Sequence, residues 1–339
     1  MFDILQNPEI DLLTLVHAAY QVRKRFTGKT VSIHIINNVQ NGLCSEDCGY
    51  CAQSKNSQVP IETYGMKSEE EIMEEAKQAY EKGAFRYCMV FSGRKPSSER
   101  IRQLTHIIRK IKKQYPLEVC VSAGIIRDHE AKILKEAGLD RLNHNINTSE
   151  TMYKTICQSH TFTDRLNTLK AARNHQLQIC SGVIIGMGEG APDIYQMANI
   201  LHEYHVTSIP VNFFIPIPGT AIQYQQPLTP EYCLRVLAVF RFLNPRAEIR
   251  VAAGRELYLR DLEPFAFYIA NSLFMDGYLN TKGSSHYKTL QMLRDAGFQI
   301  QSEFSLDELL MREKKPDLLN SPYDKKIKLK GKKDLHPSL

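Results

Sequence analysis

An eightfold alternation of strand and helix patterns predicts an α/β fold for this chain, a TIM-type (β/α)8 barrel of parallel strands. The alternation runs through most of the 339 residues without a linker or a low-complexity segment. A loop with three cysteines follows the first predicted strand, at the end of the barrel where such folds build their active sites. A doubly wound open sheet is the competing architecture, but eight is the number of strands at which this kind of barrel closes.

The chain is predicted to have three parts: an N-terminal helical extension over residues 1–28, the barrel over 29–300, and a C-terminal extension with a basic tail over 301–339. The first part contains a helix from Leu12 to Phe26, where apolar residues recur at helical spacing and basic residues come near the end. We expect the tail to be disordered and solvated, because lysines dominate it.

Within the barrel, β-branched and aromatic runs alternate with helical patterns in a regular order. Strands are predicted over residues 31–36, 85–91, 117–122, 141–145, 177–185, 208–214, 249–253 and 272–275. Helices are predicted over residues 68–82, 97–114, 128–136, 163–174, 193–204, 229–243, 262–269 and 287–296. The first of these helices is the best defined, because Ser68 and Glu71 form a capping-box pattern and Gly83 follows its end.

The composition excludes several classes of function. Hydrophobic residues make up 43% of the chain, enough for a large core, and there is no apolar run of about 18 residues that would predict a membrane span. The net charge is +6, but nine of the 43 Lys and Arg and only four of the 37 Asp and Glu lie from Arg312 onward. The body is therefore almost neutral, which argues against nucleic-acid binding. Residues 1–9 lack the pattern of a signal peptide, so we expect a cytoplasmic location.

Three cysteines lie within eight residues, Cys44, Cys48 and Cys51, with the spacing C-x3-C-x2-C. Three thiolates on one loop can hold a metal centre, and a [4Fe–4S] cluster held by three ligands keeps one iron open to bind and activate a small molecule. Structural zinc is the alternative, but it prefers four closed ligands, and no second cysteine pair lies nearby. A reducing cytosol disfavours a disulfide. The spacing therefore favours an iron–sulfur centre with a chemical role.

A second group of cysteines falls inside predicted strands. Cys88, Cys120 and Cys180 lie in the second, third and fifth strands, and Arg250 lies in the seventh. Because strand residues alternate between faces, these four side chains could converge on the barrel axis. Each cysteine alone is more simply explained as a small buried side chain. An arginine inside a barrel, however, needs an anionic partner, and a group of thiolates would be one.

The chain resembles the biotin synthases, which are radical S-adenosylmethionine (SAM) enzymes. The resemblance extends from about Tyr20 to about Phe298. It is carried by residues 44–54, 88–89, 142–149, 180–189, 211–212, 250–256 and 279–283. The three-cysteine loop alone would indicate only the radical SAM enzymes, whereas the strand cysteines together with Arg250 are much more specific.

The resemblance implies two clusters and a reaction. The ligands of a [4Fe–4S] cluster whose open iron takes SAM would be Cys44, Cys48 and Cys51. The ligands of an auxiliary [2Fe–2S] cluster, regarded in the family as the sulfur donor, would be Cys88, Cys120, Cys180 and Arg250. The implied reaction is sulfur insertion into dethiobiotin to form biotin, the last step of biotin biosynthesis. The carbons concerned carry unactivated C–H bonds that no side-chain base can deprotonate, so a 5′-deoxyadenosyl radical derived from SAM removes hydrogen instead.

The resemblance also implies contacts to SAM and to the substrate. Cofactor contacts are implied for Tyr50, Asn145, Asn147, Gly182, Ile184, Gly186 and Glu189, and substrate contacts for Asn145 and Asn212. From the residues alone, the glycine-rich stretch would be a tight turn and the asparagines would be backbone caps. Asn147 departs from relatives that carry Asp at this position. Cys157 and Cys233 match no ligand position and are interpreted as ordinary thiols.

The partners implied by the resemblance are dethiobiotin, an electron donor such as a flavodoxin or ferredoxin, iron–sulfur assembly proteins and a second copy in a homodimer, with neither nucleic acid nor membrane. One alternative is another radical SAM enzyme on the same barrel, acting on a different aliphatic substrate, for example in lipoyl-type sulfur insertion. It would need no arginine-ligated second cluster. A zinc-stabilised binding protein that uses the basic tail as its contact surface is the alternative from a different class.

Overall fold

Ten parallel strands form the centre of the fold in the computed structural model, which describes residues 3–223 and 228–313. The strands are β1 (Thr30–Gln40), β2 (Arg86–Phe91), β3 (Glu118–Ser122), β4 (Arg141–Asn143), β5 (Gln178–Cys180), β6 (Val183–Ile185), β7 (Ser208–Phe213), β8 (Glu248–Val251), β9 (Ser272–Met275) and β10 (Gln299–Ile300). The α-helices are α1 (Asp3–Gln6), α2 (Leu12–Thr27), α3 (Glu69–Glu81), α4 (Ser98–Gln114), α5 (Asp128–Glu136), α6 (Tyr153–Ile156), α7 (Phe162–Asn174), α8 (Ala191–Glu203), α9 (Pro230–Leu243), α10 (Arg255–Leu259), α11 (Glu263–Ile269), α12 (His286–Asp295) and α13 (Leu306–Glu313).

The strands close into a barrel, which confirms the predicted fold class. Neighbouring strands pair in chain order from β1 to β9, with β5 and β6 together occupying the fifth position and both pairing with β7. The barrel closes where β9 pairs with β1, from Ser32–Ser272 to Ile35–Met275. An open doubly wound sheet would have two edges instead of this closing pair, so that alternative is wrong. None of the described helices combines the length and apolarity needed to cross a bilayer.

The fifth strand position differs from the prediction of one continuous strand over 177–185. It is broken into β5 and β6 around Gly182. A side chain at Gly182 would place its Cβ 2.2 Å from the carbonyl oxygen of Pro210 in β7, so only glycine allows the two backbones to approach this closely. The break separates Cys180, which stays in the barrel interior, from Ile184, which lies beyond it toward the barrel mouth.

Local sequence signals explain most of the predicted helices. In α3 the Ser68 hydroxyl accepts from the Glu71 N–H at 3.2 Å, and the Glu71 carboxylate accepts from the Ser68 N–H at 2.7 Å, as the capping-box pattern predicts. The short helices α6 and α10, by contrast, were not predicted. They have four and five residues, too few for a periodic pattern to emerge.

Both extensions pack against the barrel. From α2, the buried Arg23 side chain donates to the carbonyl oxygens of Ala270 and Thr30 at 2.9 and 3.0 Å. At the other end of the chain, β10 pairs with the start of β1, and α13 buries Leu309 and Leu310. The predicted extension over 301–339 therefore contains a folded part up to residue 313. The basic run over residues 325–333, for which disorder was predicted, lies outside the described residues.

Replacing Leu309 by alanine is expected to destabilise the protein by about 2–4 kcal/mol, because the side chain is fully buried against Gly83 and its removal leaves a cavity. The matched control is Met311→Ala on the same helix, where the side chain is exposed and the expected change is within about 0.5 kcal/mol. Urea unfolding followed by circular dichroism measures both. Equal midpoints for the two variants would mean that α13 contributes nothing to barrel stability.

Candidate active site

A cavity of about 290 Å³ opens at the C-terminal end of the barrel strands, between the strand ends and the three-cysteine loop. Eight of the predicted site residues line it: Cys44, Cys48, Tyr50, Cys51, Asn145, Asn147, Ile184 and Asn212. The remaining predicted residues do not line this cavity. Gly182, Gly186 and Glu189 lie in or beside the turns that flank β6, and Cys88, Cys120, Cys180 and Arg250 lie deeper, inside the barrel.

The three-cysteine loop has little regular structure and is held by specific hydrogen bonds. The Gln53 side chain accepts from the Gly42 N–H at 3.0 Å, and the Glu46 carbonyl accepts from the Lys55 N–H at 2.9 Å. These bonds close the loop on itself, so that Cys44, Cys48 and Cys51 all face one cavity. Three thiols on the wall of one pocket are a donor set that suits an iron–sulfur cluster with one open position.

A second segment, residues 157–160, fastens the loop from behind. The Asp47 carboxylate accepts from the N–H groups of Gln158 and Ser159 at 3.0 and 2.9 Å, and His160 Nδ1 lies 2.5 Å from a Glu46 oxygen. Although burial opposes it, these backbone donors hold the pKa of Asp47 well below its usual value. The loop is thereby fixed as a charged, fully hydrogen-bonded unit.

Cys157 belongs to this segment, and its surroundings differ from those expected of an ordinary buried thiol. Its sulfur lies 3.8 Å from Cys48 Sγ, 3.2 Å from an Asp47 oxygen and 3.3 Å from His160 Nδ1. The hydrogen bond from Cys48, reinforced by His160, lowers the pKa of Cys157. Sequence reasoning missed this contact because 109 residues separate the two cysteines.

The residues predicted to contact SAM form one hydrogen-bonded group along the cavity wall. Asn147 adopts a left-handed conformation with φ of 68° and donates from Nδ2 to the Tyr50 hydroxyl at 2.7 Å. Asn145 Oδ1 accepts from the Gly182 N–H at 2.9 Å, which ties this group to the break between β5 and β6. Tyr50 and Asn147, predicted from separate motifs, are therefore direct neighbours.

The glycine-rich stretch after β6 forms a tight turn that Glu189 closes. Its two carboxylate oxygens accept from the N–H groups of Gly186 and Met187 at 2.6 and 2.9 Å. Burial of this side chain raises the pKa of Glu189. The structure shows that Glu189 closes this turn. Contacts of Gly186 and Glu189 with SAM stay predictions.

Asn212, predicted to bind substrate, lies at the end of β7 with its amide partly engaged. Nδ2 donates to the Val183 carbonyl at 2.9 Å, and Oδ1 accepts from the Ala253 N–H at 3.2 Å. An amide has two donor hydrogens and two acceptor lone pairs, so one of each remains for a ligand. The backbone bonds orient the side chain toward the cavity that it lines.

The strand cysteines converge inside the barrel, as the alternation of strand residues predicts. Cys88 and Cys120 are register partners on β2 and β3, and Cys180 is the register partner of Asn143 on β4. Together with Ala252 and Phe274 the three cysteines form one buried cluster. Arg250 approaches from β8, with Nη1 3.7 Å from Cys180 Sγ. Its buried Nε has no hydrogen-bond partner among the described residues, and it remains available to a bound group.

Beneath these cysteines lies a charged layer that sequence reasoning missed. Glu248 accepts from Arg86 at 3.0 Å, from Arg141 at 2.9 Å and from Arg250, and His34 Nε2 lies 2.9 Å from it. Burial would raise the pKa of Glu248, but His34 and the three guanidinium groups reverse this and hold it well below its usual value. Burial, reinforced by Arg250, lowers the pKa of His34, while Glu248 opposes this shift.

The balance of charge in this layer fits an anionic group above it. Three guanidinium cations face the carboxylates of Glu248 and Glu118, which leaves a positive excess in the barrel interior. An unpaired buried charge is expensive, and a cluster of thiolates and sulfide would neutralise it. The donor set of three thiols and one guanidinium and the charge beneath it therefore fit an iron–sulfur cluster.

Replacing Glu248 by glutamine is expected to destabilise the protein by about 3–5 kcal/mol, because three buried guanidinium groups lose their shared counter-charge. Glu118→Gln is the control, since that more exposed carboxylate contacts only Arg86 of the three. The lowered pKa of Glu248 also makes stability depend on pH. Its carboxylate stabilises the folded state fully above the pKa of about 4.5 that it has in the unfolded chain, and this stabilisation is lost as the pH falls through its lower pKa in the folded state. Urea unfolding as a function of pH should therefore show a larger acid-dependent loss of stability in wild type than in Glu248→Gln, where only the other carboxylates contribute. An unchanged variant would contradict this role.

Comparisons with known proteins identify the family of the chain. The model of the radical SAM superfamily matches residues 40–201, and that of the biotin and thiamin synthesis associated domain matches residues 210–299. Among solved structures, the FeFe-hydrogenase maturase HydG from Carboxydothermus hydrogenoformans superposes with a TM-score of 0.76 at 18% identity, covering 91% of this chain and 80% of its own. Methylornithine synthase (PylB) gives 0.72 at 17%, covering 88% and 96%. At such identities the structures establish the fold alone.

Curated relatives are far more similar. A biotin synthase of Acaryochloris marina is 55% identical over 303 residues, which cover 89% of this chain and 88% of the relative. A biotin synthase of Magnetococcus marinus is 54% identical over 298 residues, covering 88% and 93%. The zinc-stabilised binding protein is set aside by these matches. The alignment spans both domains and nearly the full length of the relatives, and the chain therefore belongs to the biotin synthase family of radical SAM enzymes.

Proposed function

We propose how this chain carries out the biotin synthase reaction, the insertion of sulfur into dethiobiotin. The [4Fe–4S] cluster would be held by Cys44, Cys48 and Cys51, and the [2Fe–2S] cluster would be held by Cys88, Cys120, Cys180 and Arg250. One observation carries the proposal: Tyr278 lines the cavity of the cysteine loop and also packs against the buried strand cysteines. A substrate in this cavity would therefore lie between the two cysteine sets.

The two clusters and SAM, when bound, supply a radical that removes hydrogen from an unactivated carbon and the sulfide that replaces it. The contribution of the chain is to confine this chemistry. Apolar side chains such as Val90, Ile184, Phe214 and Ile215 line the cavity and would help to displace water once the ligands are bound. A shielded cavity of this kind protects a reactive species from side reactions.

SAM would be held by the group of Tyr50, Asn147 and Asn145. The bond between Asn147 Nδ2 and the Tyr50 hydroxyl fixes the aromatic ring against the cysteine loop, where it can pack on adenine. Asn147 keeps its Oδ1 and one amide hydrogen for the ligand. An aspartate at this position could only accept a hydrogen bond from the Tyr50 hydroxyl. Asn147 instead donates to that hydroxyl, so the direction of the hydrogen bond is reversed in this chain.

Dethiobiotin would be oriented by the amide side chains of Asn212 and Asn145. Asn212 keeps one donor and one acceptor beyond its backbone bonds, and Asn145 keeps its amide hydrogens. A cyclic urea presents both N–H donors and a carbonyl acceptor, which such amides complement. Arg250 acts at the inner end, where its Nη1 lies 3.7 Å from Cys180 Sγ, its Nε has no partner among the described residues, and Glu248 holds the guanidinium group in place.

We further propose the partners that the family relationship implies: a flavodoxin or ferredoxin as electron donor, iron–sulfur assembly proteins, and a second copy in a homodimer. Exposure of Leu43 beside Cys44 supports the approach of a redox partner to the loop. All eight cysteines are unpaired thiols, and the use of six of them as cluster ligands supports a reducing compartment such as the cytoplasm.

Anaerobic incubation of the iron-loaded protein with dethiobiotin, SAM and a reductant is expected to yield a product heavier by one sulfur and lighter by two hydrogens. Mass spectrometry identifies it, and reactions that lack SAM or reductant are the controls. Octanoyl substrates offered in place of dethiobiotin should give no sulfur-containing product. Sulfur insertion into those substrates alone would overturn the proposed substrate.

The ligand assignment predicts the metal content of three variants. Wild type should bind about six iron and six sulfide per chain, Cys180→Ala about four and Cys48→Ala about two, since each variant loses one cluster type. Cys233→Ser is the matched control, because this buried cysteine on α9 lies in neither set. Cys180→Ala should still cleave SAM reductively while forming no biotin. Six iron in Cys180→Ala would remove that residue from the ligand set.

A further inference from the structure

The contact between Cys48 and Cys157 is imposed by the fold and is not a chance approach of two side chains. Both thiols are buried, and their sulfurs are 3.8 Å apart. The segments that carry them are joined by the two bonds from backbone N–H groups to Asp47 and by the contacts of Ser159 and His160 with Glu46. A pair of thiols held in this way is a built feature.

A metal ion is not the natural occupant of this place, although the sulfurs of both cysteines and a nitrogen of His160 lie within 4.8 Å of one another. His160 Nε2 lies 2.8 Å from Arg165 Nη2, and a guanidinium can only donate. Nε2 therefore accepts, and Nδ1 carries the proton that faces Glu46. No ring lone pair is left for a cation, and the buried charge of Arg165 would repel one.

We propose that Cys157 is a resolving thiol for Cys48: when the protein loses its [4Fe–4S] cluster, the two cysteines form a reversible disulfide that preserves Cys48. The sulfurs need to approach from 3.8 Å to the disulfide length of about 2 Å, a shift of less than 2 Å. The inference goes beyond the proposed function but rests on its assignment of Cys48 as a ligand. A sulfur bound to iron cannot also form the disulfide, so cluster and disulfide exclude each other.

Access decides which cysteine reacts first. Cys48 lines the cavity and leaves the lost cluster as a thiolate, which is the oxidisable form, whereas Cys157 does not line the cavity, so a small oxidant such as hydrogen peroxide meets Cys48 first. The Cys48 thiol is oxidised to a sulfenic acid while peroxide is reduced to water. The Cys157 sulfur then attacks the sulfenic sulfur, forming the S–S bond and releasing a second water. Two electrons pass in total from the two sulfurs to one peroxide. Without Cys157, the sulfenic acid would be open to irreversible oxidation.

The test uses the full-length, iron-loaded protein treated with hydrogen peroxide, with cluster loss followed by visible absorption. Non-reducing digestion with trypsin should join the peptide of residues 30–55 to that of residues 155–165 as absorption is lost. Further cleavage after Asp47 and Tyr50 separates Cys48 from Cys44 and Cys51, so the linked residue is identified. A disulfide between Cys48 and either loop cysteine, with Cys157 still alkylatable, would overturn the proposal.

Cys157→Ser and the control Cys233→Ser complete the design. Both should carry wild-type iron before treatment, and after it Cys157→Ser should contain at least about twofold more sulfinic and sulfonic acid at Cys48. Equal overoxidation in the two variants would also overturn the proposal. If Cys157→Ser does not fold, the peptide map of wild type still decides. A failure of the ligand assignment is distinguishable, because it would show as unchanged iron content in Cys48→Ala.

Discussion

The interior of this barrel depends on the ion pairs that the Glu248 carboxylate makes with three arginines. Three arginines project inward from β2, β4 and β8, and each of them contacts this single side chain. A (β/α)8 barrel normally fills its axis with branched apolar residues. Here the axis is charged, and charge in a low-dielectric interior must be paired or neutralised. Glu248 makes that arrangement possible, and it fixes Arg250 so that its Nη1 lies beside Cys180.

This layer also explains how two cysteine sets with different needs can share one barrel. The loop cysteines lie at the mouth, where SAM and an electron donor must reach them. The strand cysteines lie deeper, between the cavity and the charged layer, where solvent does not compete for the sulfur. Tyr278 packs against both regions and marks the boundary between them. The depth of the barrel therefore separates a site that must be accessible from one that must be shielded.

Much of this could be predicted from the sequence, for physical reasons that particular residues illustrate. The convergence of Cys88 and Cys120 follows from two rules, the alternation of strand residues and the parallel register of neighbouring strands. His34 obeys the same rules, since it is the register partner of Arg86, yet it was not predicted. A cysteine or an arginine in an apolar strand demands an explanation, whereas a single histidine has a common one as a buried polar residue. His34 joins the charged layer only through its contacts with Arg86 on β2 and with Glu248 and Arg250 on β8, which lie far away in the chain.

The same distinction separates the loop from the segment that holds it. A C-x3-C-x2-C spacing is visible because its members are local, but a loop without regular structure cannot order itself, since the entropy of fixing its backbone must be offset by contacts elsewhere. Asp47 and Glu46 provide that offset by binding residues 157–160, more than a hundred positions along the chain. The residues between the cysteines are therefore structural in their own right. An account of the cluster loop that stops at its three thiols omits the groups that keep those thiols in one place.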